Sequence, residues 1–499
     1  MDSNHTVALC SHGALADDPG VSKPLPSPAL RHLLSRFSFG VTPGLVGQAR
    51  AAGGGTGWFE RQLDHRSIPD DAAGAMRGWF PYLDKTPSQL WAEDQTAGGR
   101  QGWETGIDLQ RWTLLRRIAS NRQVHETMVE LWSNLLHVPS PEPKSWPMRP
   151  DYDQVVREHA LGRFEDLLIE CVLHPAMGCY LDNAVSTSRS INENLGREVL
   201  ELHTVGIQSG FDEEAVRDSA YILTGWKCDR FNTWEASYST GDHYIGPVRV
   251  LGFSDANGAA DGRELTRRYL RYLANHPATA RRVASRLAVR FVSDEPSAAL
   301  VTHVADAFTR SGTDIKATLR ALIAHPEFAA SRESKIRTPT EDGVATYRAL
   351  GVQVQRPSRA ADAGNAIAHQ ISTIGQAPFD WPRPDGFPDV ANAWTSTSRM
   401  LGSWQVHWTV AGGYFPATGV TYRPNAAWLP ALPARFDEVV DHVCRKLLSR
   451  AATTRMQQAA SIYTGLSAGT RIASPDDLSP YRLAKLLATL LDTPAHMNR

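Results

Sequence analysis

The sequence predicts a mainly α-helical protein: a large multi-helix domain with a small extended segment, and a smaller helical C-terminal region. Two observations carry that expectation. Apolar residues recur with a 3.6-residue period through most of 29–350, whereas only Gly246-Pro-Val-Arg-Val-Leu-Gly252 reads as a strand, through the alternation of Val248 and Val250. The composition agrees: 42% apolar and 21% charged residues over 499 positions are ordinary globular values, enough to bury a large core without staples.

Taken in order, residues 1–28 end in Lys23-Pro-Leu-Pro-Ser-Pro28, whose alternating prolines favour extended backbone, so a flexible N-terminal tail is expected there. The periodic segments follow at 29–36, 43–52, 56–64, 107–121, 123–137, 153–173, 191–204, 212–225, 262–275, 277–291, 297–310 and 314–324. Thr42 before Pro43, and Asp212 before Glu213 and Glu214, are good helix starts, because each offers a capping oxygen to the first turn. Five prolines between Pro139 and Pro150 interrupt the pattern and predict an ordered or lid-like loop. A second Pro/Gly/aromatic loop, Ala377 to Pro388, precedes helices near 397–412, 435–449, 451–464 and 480–491. The expected organisation is therefore a tail over 1–28, a main helical domain over 29–350 and a C-terminal helical region over 351–499 packed on it.

Charge and cysteine usage narrow the function classes. With 52 basic and 53 acidic residues, no global field draws the chain to nucleic acid or to an anionic membrane, so the expected partner is an unidentified small molecule or protein. Five scattered cysteines without a Cys-x-x-Cys pair point to free thiols, and no stretch has the length and apolarity of a membrane span. The first 28 residues lack the basic and apolar regions of a signal peptide, which makes the cytoplasm the default expectation, with export alongside a partner as the alternative.

The densest chemical segment runs from Asn192 to Gly206. At about 100° per residue, Asn194, Glu198 and Glu201 fall within an arc of about 60°, apart from the apolar stripe of Leu195, Val199 and Leu202. Two carboxylates on one face can hold a hard divalent ion or divide acid and base roles, given further groups from other helices. The competing reading is a charge ladder, since Glu193, Arg197 and Glu201 lie at i, i+4 and i+8. His203 sits about 140° around from Glu198 and cannot share an ion with it on a regular helix.

Other helices supply second-tier candidates. Arg157 projects among the core residues of the 153–173 segment and so requires a carboxylate, with Glu198 or Glu201 the expected partner. His159 lies near the edge of that face. On 123–137, Glu126, Glu130, Ser133 and His137 cluster opposite an apolar stripe, which predicts a solvated face, or else extra ligands beneath the 139–150 loop. Gly465-Leu-Ser-Ala-Gly469 follows a helix and is expected to be a helix C-cap rather than a nucleophile elbow; Gly53-Gly-Gly-Thr-Gly57 likewise reads as a turn.

Leu34-Ser-Arg-Phe-Ser-Phe-Gly40, Val156-Arg-Glu-His-Ala-Leu-Gly-Arg-Phe164, His174-Pro-Ala-Met177, Tyr180-Leu-Asp-Asn183, the Asn192–Gly206 run and Leu223-Thr-Gly-Trp226 together resemble a bacterial family, the domain of unknown function 1800. Further matches are His276-Pro-Ala-Thr-Ala280, Phe291-Val292, His325-Pro-Glu-Phe328, and Trp394 with Ser396, so the resemblance covers nearly the whole chain. It implies a mainly helical fold and no established reaction, cofactor or substrate; members often carry export signals. The family's Asn-Glu-Asn and Arg-Glu pair match Asn192, Glu193, Asn194, Arg197 and Glu198, with Glu201 following. This chain departs from many relatives in having His203 in place of Phe, and Ser133 and Leu135 in place of two histidines.

Two functional readings follow. In the first, an enzyme of metal-dependent oxidoreductase or hydrolase type uses Glu198, Glu201 and His159 as ligands of a divalent metal ion, or the two glutamates as an acid/base pair, with Glu193, Asn194, Arg197 and Arg157 as catalytic or positioning groups. In the second, a noncatalytic binding or assembly protein uses a buried Glu/Arg network to fix helix register.

Overall fold

The computed structural model describes residues 24–358 and 362–499. Helix makes up 59% and strand 5%, which places the molecule in the mainly helical class expected from its periodicity. The tail expected over 1–28 lies outside the described residues up to residue 23. The first helix, Pro28–Arg36, starts where Ser27 accepts a hydrogen bond from the Leu30 N–H at 3.1 Å. No helix among the described residues is long and apolar enough to cross a membrane.

Local chemistry sets many boundaries. Thr42 and Asp212 cap their helices as expected, and Gly465 ends the Thr454–Thr464 helix in the left-handed region that glycine enters at least cost. Three His-Pro motifs prove to be helix starts. His174, His276 and His325 each accept a backbone N–H two residues ahead on Nδ1, at 3.1, 3.2 and 3.3 Å, while the following proline occupies the first turn, where its missing N–H costs nothing.

Two expected helices are reshaped. The 153–173 segment is two helices, Arg149–His159 and Phe164–Val172, because Gly162 lies between them and the Phe164 N–H goes to the Thr313 carbonyl at 2.9 Å. The segment at 191–204 is a short α-helix, Asn194–Glu198, continued by a π turn, Val199–His203. The five-proline connection is ordered and buried from Ser145 to Pro150, and the Arg149 guanidinium donates to the Val138 carbonyl across it. The expected strand is real: Val248–Val250 pairs antiparallel with Phe253–Asp255, Val248 and Val250 facing inward and Arg249 outward. Three further two-stranded antiparallel pairs complete the sheet content among the described residues.

The apolar interior divides into two cores. One gathers residues between Leu33 and Phe328, including Trp132, Phe164, Leu200 and Phe291. The second combines Phe39, residues between Met76 and Leu115, and residues between Val344 and Leu491. The Gly102–Ala119 and Gln123–Leu135 helices run along the boundary, and every residue of the latter is buried.

Candidate functional site

The Asn192–Gly206 segment places its charged groups on a partly open surface. Arg197 bridges Glu193 at 3.6 Å and Glu201 at 3.5 Å, and grips Glu213 of the next helix with both terminal nitrogens, at 3.0 and 2.6 Å. Glu193 also meets Arg217 at 3.4 Å, and Asn194 is exposed. The charge ladder is therefore present. Glu198 is half-buried, and burial together with the nearby charge of Glu201 pushes its carboxyl above the usual range. The π turn begins one residue later, so a regular 100° projection holds only as far as Glu198. His203 turns inward and donates from Nδ1 to the Leu135 carbonyl at 2.8 Å.

The remaining candidates do not join this surface. Arg157 is buried, as its position among core residues requires, but its partner differs from the expected one. Its guanidinium pairs with Glu126 of the Gln123–Leu135 helix at 2.9 Å and with Asp153 one turn earlier at 2.6 Å, and not with Glu198 or Glu201. His159 is half-buried and, among the described residues, makes no side-chain hydrogen bond or ion pair with the Asn192–Gly206 segment.

Glu126 and Glu130 correct the expectation of a solvated face. Both are buried, because arginines from other helices meet that side of the helix and replace water. Glu126 also receives Arg116 at 2.8 Å, and Trp112 lies under the guanidiniums of both Arg157 and Arg116. The two arginines hold the Glu126 carboxyl far below the usual range against the opposing effect of burial, so it is a fixed anion and no proton acceptor near neutral pH.

A second constellation lies between the cores. Arg290, from the Pro277–Phe291 helix, pairs with Glu130, with Glu341 of the Pro339–Leu350 helix at 2.9 Å and with Asp389 at 2.9 Å. Glu130 is shared with Arg117 at 2.8 Å, and Glu341 with Arg499 at 3.0 Å. All of these side chains are at most 5% exposed, so each charge depends on its neighbours for stabilisation.

Near this network lies a histidine cluster that carries no sequence signal. Asp342, His407 and His496 are all buried, and one candidate ligand atom from each lies within 4.8 Å of the others. His407 Nε2 is 3.1 Å from Asp342 Oδ1, and its Nδ1 is 2.7 Å from Asp492. His496 Nε2 is 3.6 Å from the same Asp342 oxygen and 3.1 Å from the Thr346 hydroxyl. The members come from three helices separated by tens of residues, and no short spacing motif marks them. Among the described residues this is the one grouping of three His, Cys, Asp or Glu side chains close enough to hold a metal ion.

Comparison with known proteins gives a family model described as "Protein of unknown function (DUF1800)", matched by residues 32–498. No curated protein and no solved structure matches the chain.

Proposed function

The chain belongs to the DUF1800 family, which assigns it no reaction, and we propose that it is a noncatalytic binding or assembly protein whose buried Glu/Arg network holds two helical cores in fixed register. The observation that carries this reading is Arg290, whose guanidinium draws together carboxylates from two other helices and one loop. A buried charge satisfied from several elements penalises every packing in which one element shifts, and so contributes specificity even where its net stabilisation is small.

The carboxylates also favour it. Glu126, Glu130, Glu341 and Asp389 are all occupied by arginine, and Arg197 engages Glu193 and Glu201. Exposed apolar side chains support a protein as the partner. Leu401, Trp404, Tyr414 and Tyr481 are exposed, and Trp408 packs against both Tyr414 and Tyr481, so part of an aromatic surface faces outward.

The test compares two variants of the full chain. Arg290→Met is expected to lower the melting temperature and to increase amide exchange at the boundary of the cores. Glu198→Gln combined with Glu201→Gln is expected to leave stability and metal content as they were. Loss of a bound metal or of a measurable turnover in the double-glutamine protein, with its melting temperature intact, would return the function to those carboxylates and sink the scaffold reading.

A further inference from the structure

We propose that Asp342 Oδ1, His407 Nε2 and His496 Nε2 form a site for one divalent transition-metal ion of the zinc type, with Asp492 as the outer carboxylate that orients His407. The inference does not depend on Glu198 or Glu201 and goes beyond the scaffold reading.

Geometry supplies the first argument. An ion held tetrahedrally at about 2.0–2.1 Å separates its donors by roughly 3.3–3.4 Å. The Asp342–His407 and Asp342–His496 separations are 3.1 and 3.6 Å, which bracket that edge, and the three candidate ligand atoms all lie within 4.8 Å of one another. Two of the three donor edges are thus close to the required length, and the third lies within 4.8 Å.

The surroundings supply the second. Ligating histidines commonly donate their other ring N–H to a carboxylate, which fixes the tautomer and strengthens the donor nitrogen. His407 Nδ1 lies 2.7 Å from Asp492 Oδ1, in the position that role requires. His496 is held through its backbone, whose carbonyl accepts from Arg337 Nε at 2.8 Å. Asp342 Oδ2 is buried without a hydrogen-bond donor, although Arg399 Nη2 stands 3.3 Å away. Arg399 thus faces the carboxylate through Oδ2, while Oδ1 is turned to the two imidazoles.

Donor type selects the ion. Two imidazoles and one carboxylate suit a first-row transition ion such as zinc, cobalt, nickel or iron(II), whereas calcium and magnesium require mostly oxygen donors. The competing arrangement is metal-free, with His407 donating from Nε2 to Asp342 and from Nδ1 to Asp492, and with His496 Nε2 at 3.1 Å from the Thr346 hydroxyl. The ion would take the place of the His407 Nε2 proton, which leaves to solvent as the metal–nitrogen bond forms. All three ligands are at most 4% exposed, which fits an ion that ties the Thr397–Ala411 helix and the Pro494–Met497 turn to the Pro339–Leu350 helix.

The experiment uses the full chain, stripped with a chelator and titrated with zinc sulfate by calorimetry, and with cobalt chloride by visible absorption. The expected result is one zinc per chain, a higher melting temperature, and a cobalt spectrum of a low-coordinate nitrogen/oxygen site. His407→Ala and His496→Gln should abolish the uptake. Asp492→Asn, which leaves every ligand in place, should weaken it by about 10–100-fold and serves as the control if the ligand variants fold poorly. Glu198→Gln should bind zinc like the unmodified chain. Absence of zinc uptake by the folded chain, uptake unchanged in both histidine variants, or uptake lost with Glu198→Gln would each overturn the proposal; only the last would also overturn the scaffold reading.

Discussion

Arg290 and Glu341 meet at 2.9 Å with side chains only 2% and 1% exposed, and their contact joins a helix of the first core to a helix of the second. The pair has no water to fall back on. Each ion is stabilised by the other and by the remaining members of the network.

Replacing Glu341 by Gln is therefore expected to destabilise the chain by about 3–5 kcal/mol, the usual cost of removing one partner of a buried ion pair. Chemical denaturation of the two proteins side by side measures it. A loss below about 1 kcal/mol would show that the network readjusts, and that Arg290 does not depend on this helix.

Arg157 and Glu126 should behave as one unit. Glu126→Gln and Arg157→Met each leave a buried charge short of its partner, whereas the double variant removes both, so the double loss should fall short of the sum by roughly 1–3 kcal/mol. A double-mutant cycle in urea provides the number. Strict additivity would mean that Asp153 and Arg116 satisfy the two residues without each other's help.

Glu198→Gln should be close to neutral, within about 0.5 kcal/mol, and in the stabilising direction. Glu198 is half-buried and stands in the field of Glu201, with its carboxyl raised above the usual range, so removing its charge relieves a repulsion. Thermal melts at pH 7 decide this, and a fall of several degrees would indicate a favourable contact of the carboxylate.

Stability should decline below pH 6.5. Burial lowers His125 and His203 to about 4, below the ordinary value of about 6.5 that holds in the unfolded chain. Above pH 6.5 both states leave these two rings neutral, and His125 and His203 have no effect on the balance. As pH falls from 6.5 towards 4 the unfolded chain binds protons that the folded one refuses, at a cost of up to about 3 kcal/mol per histidine. Equilibrium unfolding between pH 7.5 and 4.5 should show that slope, and replacing His203 by Phe should reduce it, the rest persisting because burial also lowers His32, His65 and His137. A flat profile in the parent protein would contradict the buried neutral state.

Residues 123–137 show how far a sequence pattern reaches. The stripe of Val124, Met128, Leu131, Trp132 and Leu135 is in the core, as the 3.6-residue period requires. The opposite face carries Glu126 and Glu130, which in isolation is indistinguishable from a face turned to water. Arg116, Arg117, Arg157 and Arg290 cover it instead, and nothing within the segment encodes their arrival.

By itself the sequence determined what depends on neighbours along the chain: the helical class, the caps at Thr42, Asp212 and Gly465, the strand at Val248–Val250, the charge ladder through Arg197 and the burial of Arg157. The tertiary structure alone decided which carboxylate Arg157 meets, that Glu126 and Glu130 are enclosed, and that Asp342, His407 and His496 converge. The physical reason is range. Periodicity and capping set angles within one helix, where residues three or four apart are neighbours, but the partner across an interface depends on how separate helices cross and pack, and no spacing in the chain records that.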